Sequence, residues 1–390
     1  MNILILSPLF PYPANQGGKI RVFNLIKYLS RNNRVTLACL SSEKVGDYGP
    51  LGDYCEDIVC IERPVQTVRD LFSFFLGRAP FNYVRYSSKE FRAALIELCG
   101  SNSFDVIQVE FPMLWQYADA LAGPPMVLDA HNVEYEIIHA LRASCTNPFK
   151  KTLYALEEKR FRQREKSAWK ECRFCFTVSE QEREIVASQA GDPKKVVTVP
   201  NGVDLEKFVF RPNAERKRSI LFLGGMDWAP NLDAAGYFLE DIFPCIRKKM
   251  PDAEVDFVGR ELWRIKSLVR SSGIRLHENV PDVLPWFHQA DVLAVPLRLG
   301  AGTRIKVLEA MATGLPVVTT AKGCEGTEAA HGKHLLIADS AEEFADEIIR
   351  LIGNEPLAAR LTREARRLVE TRYSWEMAAA TIHQSLRTLL

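Results

Sequence analysis

Short apolar runs alternate with amphipathic segments along the whole chain, a pattern that predicts parallel strands joined by helical crossovers. In the first half the runs are Asn2–Ser7, Val35–Leu40, Asp105–Glu110, Met126–Ala130, Phe174–Ser179 and Val196–Val199. In the second they are Ile220–Gly225, Glu254–Val258, Ile274–Leu276, Asp291–Pro296, Pro316–Thr320 and Leu335–Ala338. Apolar residues at Ile20, Phe23, Leu25, Ile26 and Leu29 predict a helix from about Lys19 to Ser30, after the Pro/Gly-rich loop PLFPYPANQGG. Three amphipathic segments, Ala341–Leu351, Pro356–Val369 and Trp375–Leu389, finish the chain. The expectation is an α/β protein. A length of 390 residues suits about two domains, and the turn Pro200-Asn201-Gly202-Val203-Asp204, followed by the polar stretch Glu206–Arg218, puts their boundary near residue 205. Residues 1–205 then form the first domain, 206–372 the second, and 373–390 a last helix.

Charge is concentrated in one strand–loop–helix–strand unit, Asp291–Thr320. In an open parallel sheet the loop of such a unit lies at the carboxyl edge, where ligands bind. Gly300 and Gly302 free that loop of side-chain bulk, and Thr303 leads into a helix with apolar spacing at Ile305, Leu308 and Ala312. Arg304 and Lys306 add two cations at the start of the helix, where free N–H groups already favour an anion. Glu309, one turn on, is placed to accept hydrogen bonds from vicinal hydroxyls such as those of ribose. A diphosphate beside a ribose is half of a nucleotide. The plainer alternative is that Lys306 and Glu309 pair with each other on a solvated face and the glycines only make a turn.

Other features narrow the reading. Fifty basic and 49 acidic residues leave a net charge of +1, so the balance does not argue for nucleic acid binding. Nine cysteines scattered from Cys39 to Cys324 fit a reducing compartment better than a disulfide framework. Cys172 and Cys175 have C-x-x-C spacing in a strand-like run without a second pair, which favours structural thiols over a metal site. The chain begins MNILILS, with no basic segment before the first strand, and its most apolar short run, Leu71–Leu76, is too brief to span a bilayer. A cytoplasmic location is expected. Residues 150–170 carry eight Lys/Arg against three Glu with aromatic residues between them, so this helix can lie on an anionic membrane surface or simply face the core with one side.

Gly17 and Gly18 precede the first helix, and Asp129-Ala130-His131-Asn132 brings polar groups to a strand end. Glu110, Glu134 and Glu136 lie near by in sequence or topology, and any of the three is a candidate to take a proton from an acceptor hydroxyl.

The run G-x-G-x-R-x-K-x-L-E-A-M-A-x-G-x-P-V-V-x-T, with Pro200–Asp204 and Gly17-Gly18, resembles the GT-B glycosyltransferases of family 4, in particular bacterial sugar transferases of exopolysaccharide clusters. The resemblance covers nearly the whole chain. It implies two Rossmann-like domains facing across a cleft, with the last helix returning to the first domain after Tyr373-Ser374-Trp375. It also implies retaining transfer of a sugar from a nucleotide diphosphate donor to a saccharide or lipid-linked acceptor, without an active-site metal or other cofactor. By motif position Glu309 matches the ribose-holding glutamate, and Arg304 and Lys306 meet the phosphates. Gly300, Gly302 and Thr303 line the donor loop, Gly17 and Gly18 close over the donor or the acceptor, and His131 contacts the donor sugar.

Two departures stand out. The first glutamate of the family's E-x7-E pattern is Ala301 here, and the loop Gly224–Asn231 lacks the usual arginine and lysine. A nucleotide-sugar 2-epimerase of similar fold and a non-catalytic nucleotide-binding subunit are the alternatives.

Overall fold

The computed structural model describes residues 1–63, 79–121, 123–211, 218–300 and 302–390. Leu71–Leu76, the polar stretch 212–217 and Ala301 lie outside the described residues. The chain forms two compact units, one of Met1–Asn201 with Trp375–Leu390 and one of Gly202–Ser374.

The first unit is built on seven described strands: β1 (Asn2–Ser7), β2 (Arg34–Ser41), β3 (Asp57–Glu62), β4 (Val106–Glu110), β5 (Met126–Ala130), β6 (Cys175–Thr177) and β7 (Val196–Thr198). They are parallel throughout and lie in the order β3-β2-β1-β4-β5-β6-β7. Strand β1 is central, with Ile3 facing Val35 on one side and Val106 on the other, and Ile3–Leu6 are fully buried. Covering on both faces explains why these strands read as continuous apolar runs. Strand β3 (DIVCIE), absent from the runs predicted above, is the half-exposed edge of the sheet, with only the four apolar residues Ile58–Ile61 between two acidic ones.

The second unit carries six described strands, β8 (Ser219–Leu223), β9 (Glu254–Gly259), β10 (Ile274–Glu278), β11 (Val292–Val295), β12 (Val317–Thr319) and β13 (Leu336–Ile337). Their order is β10-β9-β8-β11-β12-β13, again all parallel. Each sheet therefore reverses its winding once, between β1 and β4 and between β8 and β11. The carboxyl ends of those strand pairs are where an open α/β sheet leaves a crevice for ligand.

Two expectations need correction, and a third is settled in part. The first helix is Gly17–Leu29, so Gly17 and Gly18 are its first turn rather than a preceding loop. The stretch after residue 205 is not a free linker in its described part. Val203 bridges to Ser374, Phe208 packs edge-on against Phe287 at 5.9 Å, and Arg211 N donates to the Thr313 carbonyl, so residues 202–211 belong to the second unit. The basic helix Pro148–Glu171 divides along its length: Phe161, Glu165, Ala168 and Trp169 are buried, whereas Phe149 at the other end is exposed. Among the described residues no helix is long and apolar enough to cross a membrane.

The last helix, Trp375–Arg387, lies against the helix Gly17–Leu29 in the first unit, burying Trp375, Ala378, Ala379, Ile382 and Leu386. At that contact Asn33 Nδ2 and His383 Nδ1 are 3.1 Å apart. Since Trp375 is among the largest fully buried side chains, Trp375→Ala should destabilise the protein by about 3–5 kcal/mol. Urea denaturation checks this, and an unchanged midpoint would mean that the helix carries little of the fold.

Candidate functional site

At the β1/β4 switch point the first unit assembles a buried polar cluster around a residue that sequence reasoning missed, Arg21. It lies one turn into the helix Gly17–Leu29 and faces inward. Its Nε and Nη2 donate to the two oxygens of Asp129 at 2.8 and 2.7 Å, and its Nη1 donates to the Val199 carbonyl at 3.0 Å and to Asn201 Oδ1 at 3.1 Å. A two-pronged guanidinium–carboxylate pair is the strong form of ion pairing. One side chain thus ties the first helix, the end of β5 and the Pro200-Asn201 turn together. Burial works against the charge on Asp129, yet the fork from Arg21 overrides it and holds the carboxyl below its usual range.

His131 sits beside this pair. Its Nε2 is 2.7 Å from Glu110 Oε2, and Gln108 Nε2 donates to the other Glu110 oxygen at 2.7 Å. Phe111 follows Glu110 with φ +66° and ψ 141°, a conformation that an aromatic residue adopts only under constraint. The result is that its ring stacks on the imidazole of His131, 3.7 Å between centroids and 24° between planes. Gly18 lies beside the stacked pair. A Cβ there would lie 3.0 Å from Phe111 Cζ and 3.9 Å from His131 Nδ1, so the glycine is needed for close approach. Gly17 has no such constraint, as a Cβ on it would meet nothing within 4 Å.

The carboxylates sort differently from the expectation. Glu110 is fully buried with both oxygens engaged, so it touches His131 rather than an acceptor. Glu136 is exposed on the next helix, Glu134–Ser144. Glu134 begins that helix, and its backbone N–H and that of Tyr135 donate to the buried Glu165 at 2.9 and 3.0 Å. Burial lifts Glu110 well above the carboxylate range, with the charge of Asp129 adding to the effect, and burial pushes His131 down to about 4. Glu110, Asp129 and His131 each offer a ligand atom within 4.8 Å of the others. With both Asp129 oxygens held by a guanidinium, that geometry suits a proton network better than a metal ion.

At the β8/β11 switch point the second unit gathers two cations at a helix start. Gly300 and Gly302 have φ +104° and +79°, where a side chain is strained, and the helix that follows is Ile305–Thr313, with Arg304 as its N-cap residue. No acidic residue occupies the first turn. Two cations therefore stand at the positive end of a helix, an arrangement that is unfavourable without an anion. Arg304 is buried, and its guanidinium lies 5.5 Å from the ring of Trp228. The Lys306 ammonium donates to the Leu223 carbonyl and, at 3.1 Å, to Asn231 Oδ1. Burial, reinforced by Arg304, lowers Lys306 to about 7.

Glu309 is buried as well, and burial raises it to about 7 against the pull of Lys207 and Lys306. In place of a solvated Lys306–Glu309 pair, Lys306 bonds to Leu223 and Asn231 while Glu309 is buried one turn on. Thr303 Oγ1 donates to the Gly326 carbonyl at 2.9 Å, so the hydroxyl pins the Gly300–Gly302 loop to the turn at Gly326.

The missing arginine and lysine of the loop after β8 also have a structural answer. Asp227 of that loop holds Arg260 at 2.8 Å, Trp228 lies against Arg304, and Asn231 receives Lys306. The cations come from neighbouring elements and are braced by the loop that lacks them. Cys172 and Cys175 are free, buried thiols, in keeping with a structural role.

Comparison with known proteins follows this geometry. Residues 217–354 match the family model "Glycosyl transferases group 1", and residues 16–207 match "Glycosyltransferase Family 4". The chain is similar to an uncharacterized 44.6 kDa protein in the cps region of Klebsiella pneumoniae, 24% identical over 90% of this chain and 91% of that one. It is also similar to a GDP-mannose-dependent alpha-(1-6)-phosphatidylinositol monomannoside mannosyltransferase of Mycobacterium tuberculosis, 28% identical over 54% of this chain and 60% of that one.

Among solved structures, Anabaena HepE in complex with UDP and glucose matches with a TM-score of 0.70 at 14% identity, covering 99% of both chains. Sucrose-phosphate synthase of Thermosynechococcus elongatus matches with a TM-score of 0.73 at 16% identity, over 100% of this chain and 99% of that one. The two parallel-sheet units are those of the GT-B class of sugar transferases. Within that class, the chain belongs to the glycosyltransferases of group 1 and family 4.

The cluster around Arg21 makes a direct prediction. Arg21→Leu leaves Asp129 buried without its partner and should cost about 3–5 kcal/mol in urea unfolding. Adding Asp129→Leu should recover part of that loss, whereas a neutral single variant would deny the pair its structural role.

Proposed function

We propose that this glycosyltransferase moves a sugar from a nucleotide diphosphate donor to a saccharide or lipid-linked acceptor, with retention of configuration and without an active-site metal. The observation that carries the reading is the pair of cations at the positive end of the Ile305–Thr313 helix, Arg304, which is buried, and Lys306, which is half-buried. An anion bound there gains from two charges and from the helix start at once. Glu309, one turn further along, then accepts hydrogen bonds from ribose hydroxyls, so that the sugar next to a diphosphate is recognised on the same helix.

As the glycosidic bond to the donor phosphate breaks, negative charge grows on the leaving diphosphate. Arg304, Lys306 and the first N–H groups of the helix stabilise it, and preorganised groups of this kind contribute several kcal/mol. By motif position His131 is the group that meets the donor sugar. Two similar proteins support a nucleotide-sugar donor: HepE has been solved in complex with UDP-glucose, and the mycobacterial mannosyltransferase is GDP-mannose-dependent. The relative from a cps region supports a role in polysaccharide assembly.

A thermal-shift panel of UDP, GDP, ADP and TDP tests the site, because a ligand that binds only the folded state raises the melting temperature. One nucleotide should stabilise the wild type and fail to stabilise Arg304→Ala. Lys306→Ala should lower turnover on the order of a hundredfold or more. No shift with any nucleotide would overturn the reading.

The two groups near 7 also set the proton balance of binding. At pH 8 Lys306 is mostly neutral in the free protein and is recharged by phosphate, so binding takes up a proton. At pH 6 Lys306 is already charged, while Glu309 is mostly protonated and must ionise to accept ribose hydroxyls, so binding releases one. Calorimetry in buffers of different ionisation enthalpy should show this reversal of sign, and Lys306→Met should abolish the uptake at pH 8.

A further inference from the structure

The Glu110–His131 contact has a direction, and the groups around it decide which. The pair is enclosed by Arg21 from the first helix, Asp129 from β5, Glu134 at the start of the following helix and Glu182 from the helix Glu180–Ala187. Asp129 keeps its negative charge because Arg21 grips both its oxygens. A second carboxylate charge in the same buried space would have no cation of its own. Glu110 Oε1 already accepts from Gln108 Nε2, and Oε2 faces His131 Nε2 at 2.7 Å; the Asp129 carboxylate also reaches Glu110 and favours its neutral acid, but its two oxygens are already met by Arg21, so the proton on Oε2 is directed to His131.

We propose that Glu110 is a positioning residue that stays protonated, donates from Oε2 to His131 Nε2, and so fixes the imidazole as the Nδ1–H tautomer. The proton on Nδ1 is then offered, beside Gly18, as a donor to a hydroxyl oxygen of the substrate. Burial shifts Glu110 up and His131 down, which agrees with a neutral acid bonded to a neutral imidazole. Phe111, stacked on the ring at 3.7 Å, prevents the imidazole from turning its other nitrogen inward. The strained backbone of Phe111 acquires a purpose: it lets consecutive residues of β4 and its end grip the same imidazole, Glu110 at an edge and Phe111 on a face. An ionised Glu110 would demand the opposite tautomer, with Nε2–H pointing inward and a bare lone pair at Nδ1. Such a histidine would accept a hydrogen bond from a substrate rather than donate one.

The role of Nδ1 toward substrate rests on the glycosyl-transfer reading, whereas the tautomer does not. The test is therefore spectroscopic first. Full-length protein labelled with 15N-histidine is examined at pH 7 by long-range 1H–15N correlation, with His131→Gln identifying the His131 signals among the seven histidines. The expected pattern is a protonated Nδ1 and an unprotonated Nε2. Glu110→Gln should keep it, since an amide can still accept from Gln108 and donate to His131. Glu110→Leu should lose it, with the fold of that variant checked by circular dichroism.

In the transfer reaction Glu110→Leu should lower kcat by about tenfold or more, the loss of one well-placed hydrogen bond. Nucleoside diphosphate affinity should be unchanged, and Glu110→Gln should recover most of the turnover. A protonated Nε2 in the wild type, or an unaltered Nδ1–H pattern in folded Glu110→Leu, overturns the proposal. If Glu110→Leu does not fold, the wild-type and Glu110→Gln spectra decide it. A wild type that shows the Nδ1–H tautomer yet transfers no sugar would count against the functional reading and leave the role of Glu110 standing.

Discussion

The first unit depends on one buried interaction, the two-pronged pair between Arg21 and Asp129. Removing two charges from water is costly, and the pair holds only because both carboxylate oxygens are met and the remaining donors reach Val199 and Asn201. Three separate stretches of chain are brought to one point by it: the glycine-led helix start, the end of β5 and the turn that closes the unit. It also sets the charge state of its neighbours. With the only tolerated negative charge placed on Asp129, Glu110 is driven toward its neutral acid and His131 toward its neutral imidazole.

The second unit solves a related problem in another way. Arg304 and Lys306 crowd the positive end of a helix, which by itself disfavours folding there. The helix stays in place because its other residues are held by the core: Val307, Leu308, Ala310, Met311 and Ala312 are all completely buried. Lys306 is anchored to a β8 carbonyl and to Asn231, and Arg304 rests against Trp228. Hydrophobic burial thus supports an electrostatic arrangement that an anionic ligand would relieve. Both arrangements occupy the switch points of parallel sheets, where consecutive strands diverge and leave room at their carboxyl ends.

Much of this was legible in the sequence. Strands buried on both faces announce themselves as apolar runs, and the Asp291–Thr320 unit shows its glycines, cations and glutamate in plain order. Arg21 was not legible. An arginine one turn into an amphipathic helix looks like part of the solvated face, and nothing local reveals a carboxylate 108 residues away. Phe111 was missed for a related reason, since a left-handed aromatic residue has no sequence signature and its stacking partner lies on another strand. Glu110 was noticed as a carboxylate at a strand end but given the wrong neighbour, because strand position predicts which edge a residue reaches and not what it touches there. The polar stretch after residue 205 reads as a linker, and its described part is instead held by Phe208, packed on Phe287, and by Arg211, whose N–H donates to the Thr313 carbonyl.

The central claim is retaining sugar transfer from a nucleotide diphosphate donor. The most direct measurement supplies the nucleotide-sugar whose nucleotide stabilises the protein, together with a saccharide or lipid-linked acceptor, and reads the anomeric configuration of the product by proton NMR. The account predicts a new glycosidic bond with the donor's anomeric configuration, formed in step with release of the nucleoside diphosphate. An inverted linkage, or an epimerised sugar that appears without any acceptor, would contradict it.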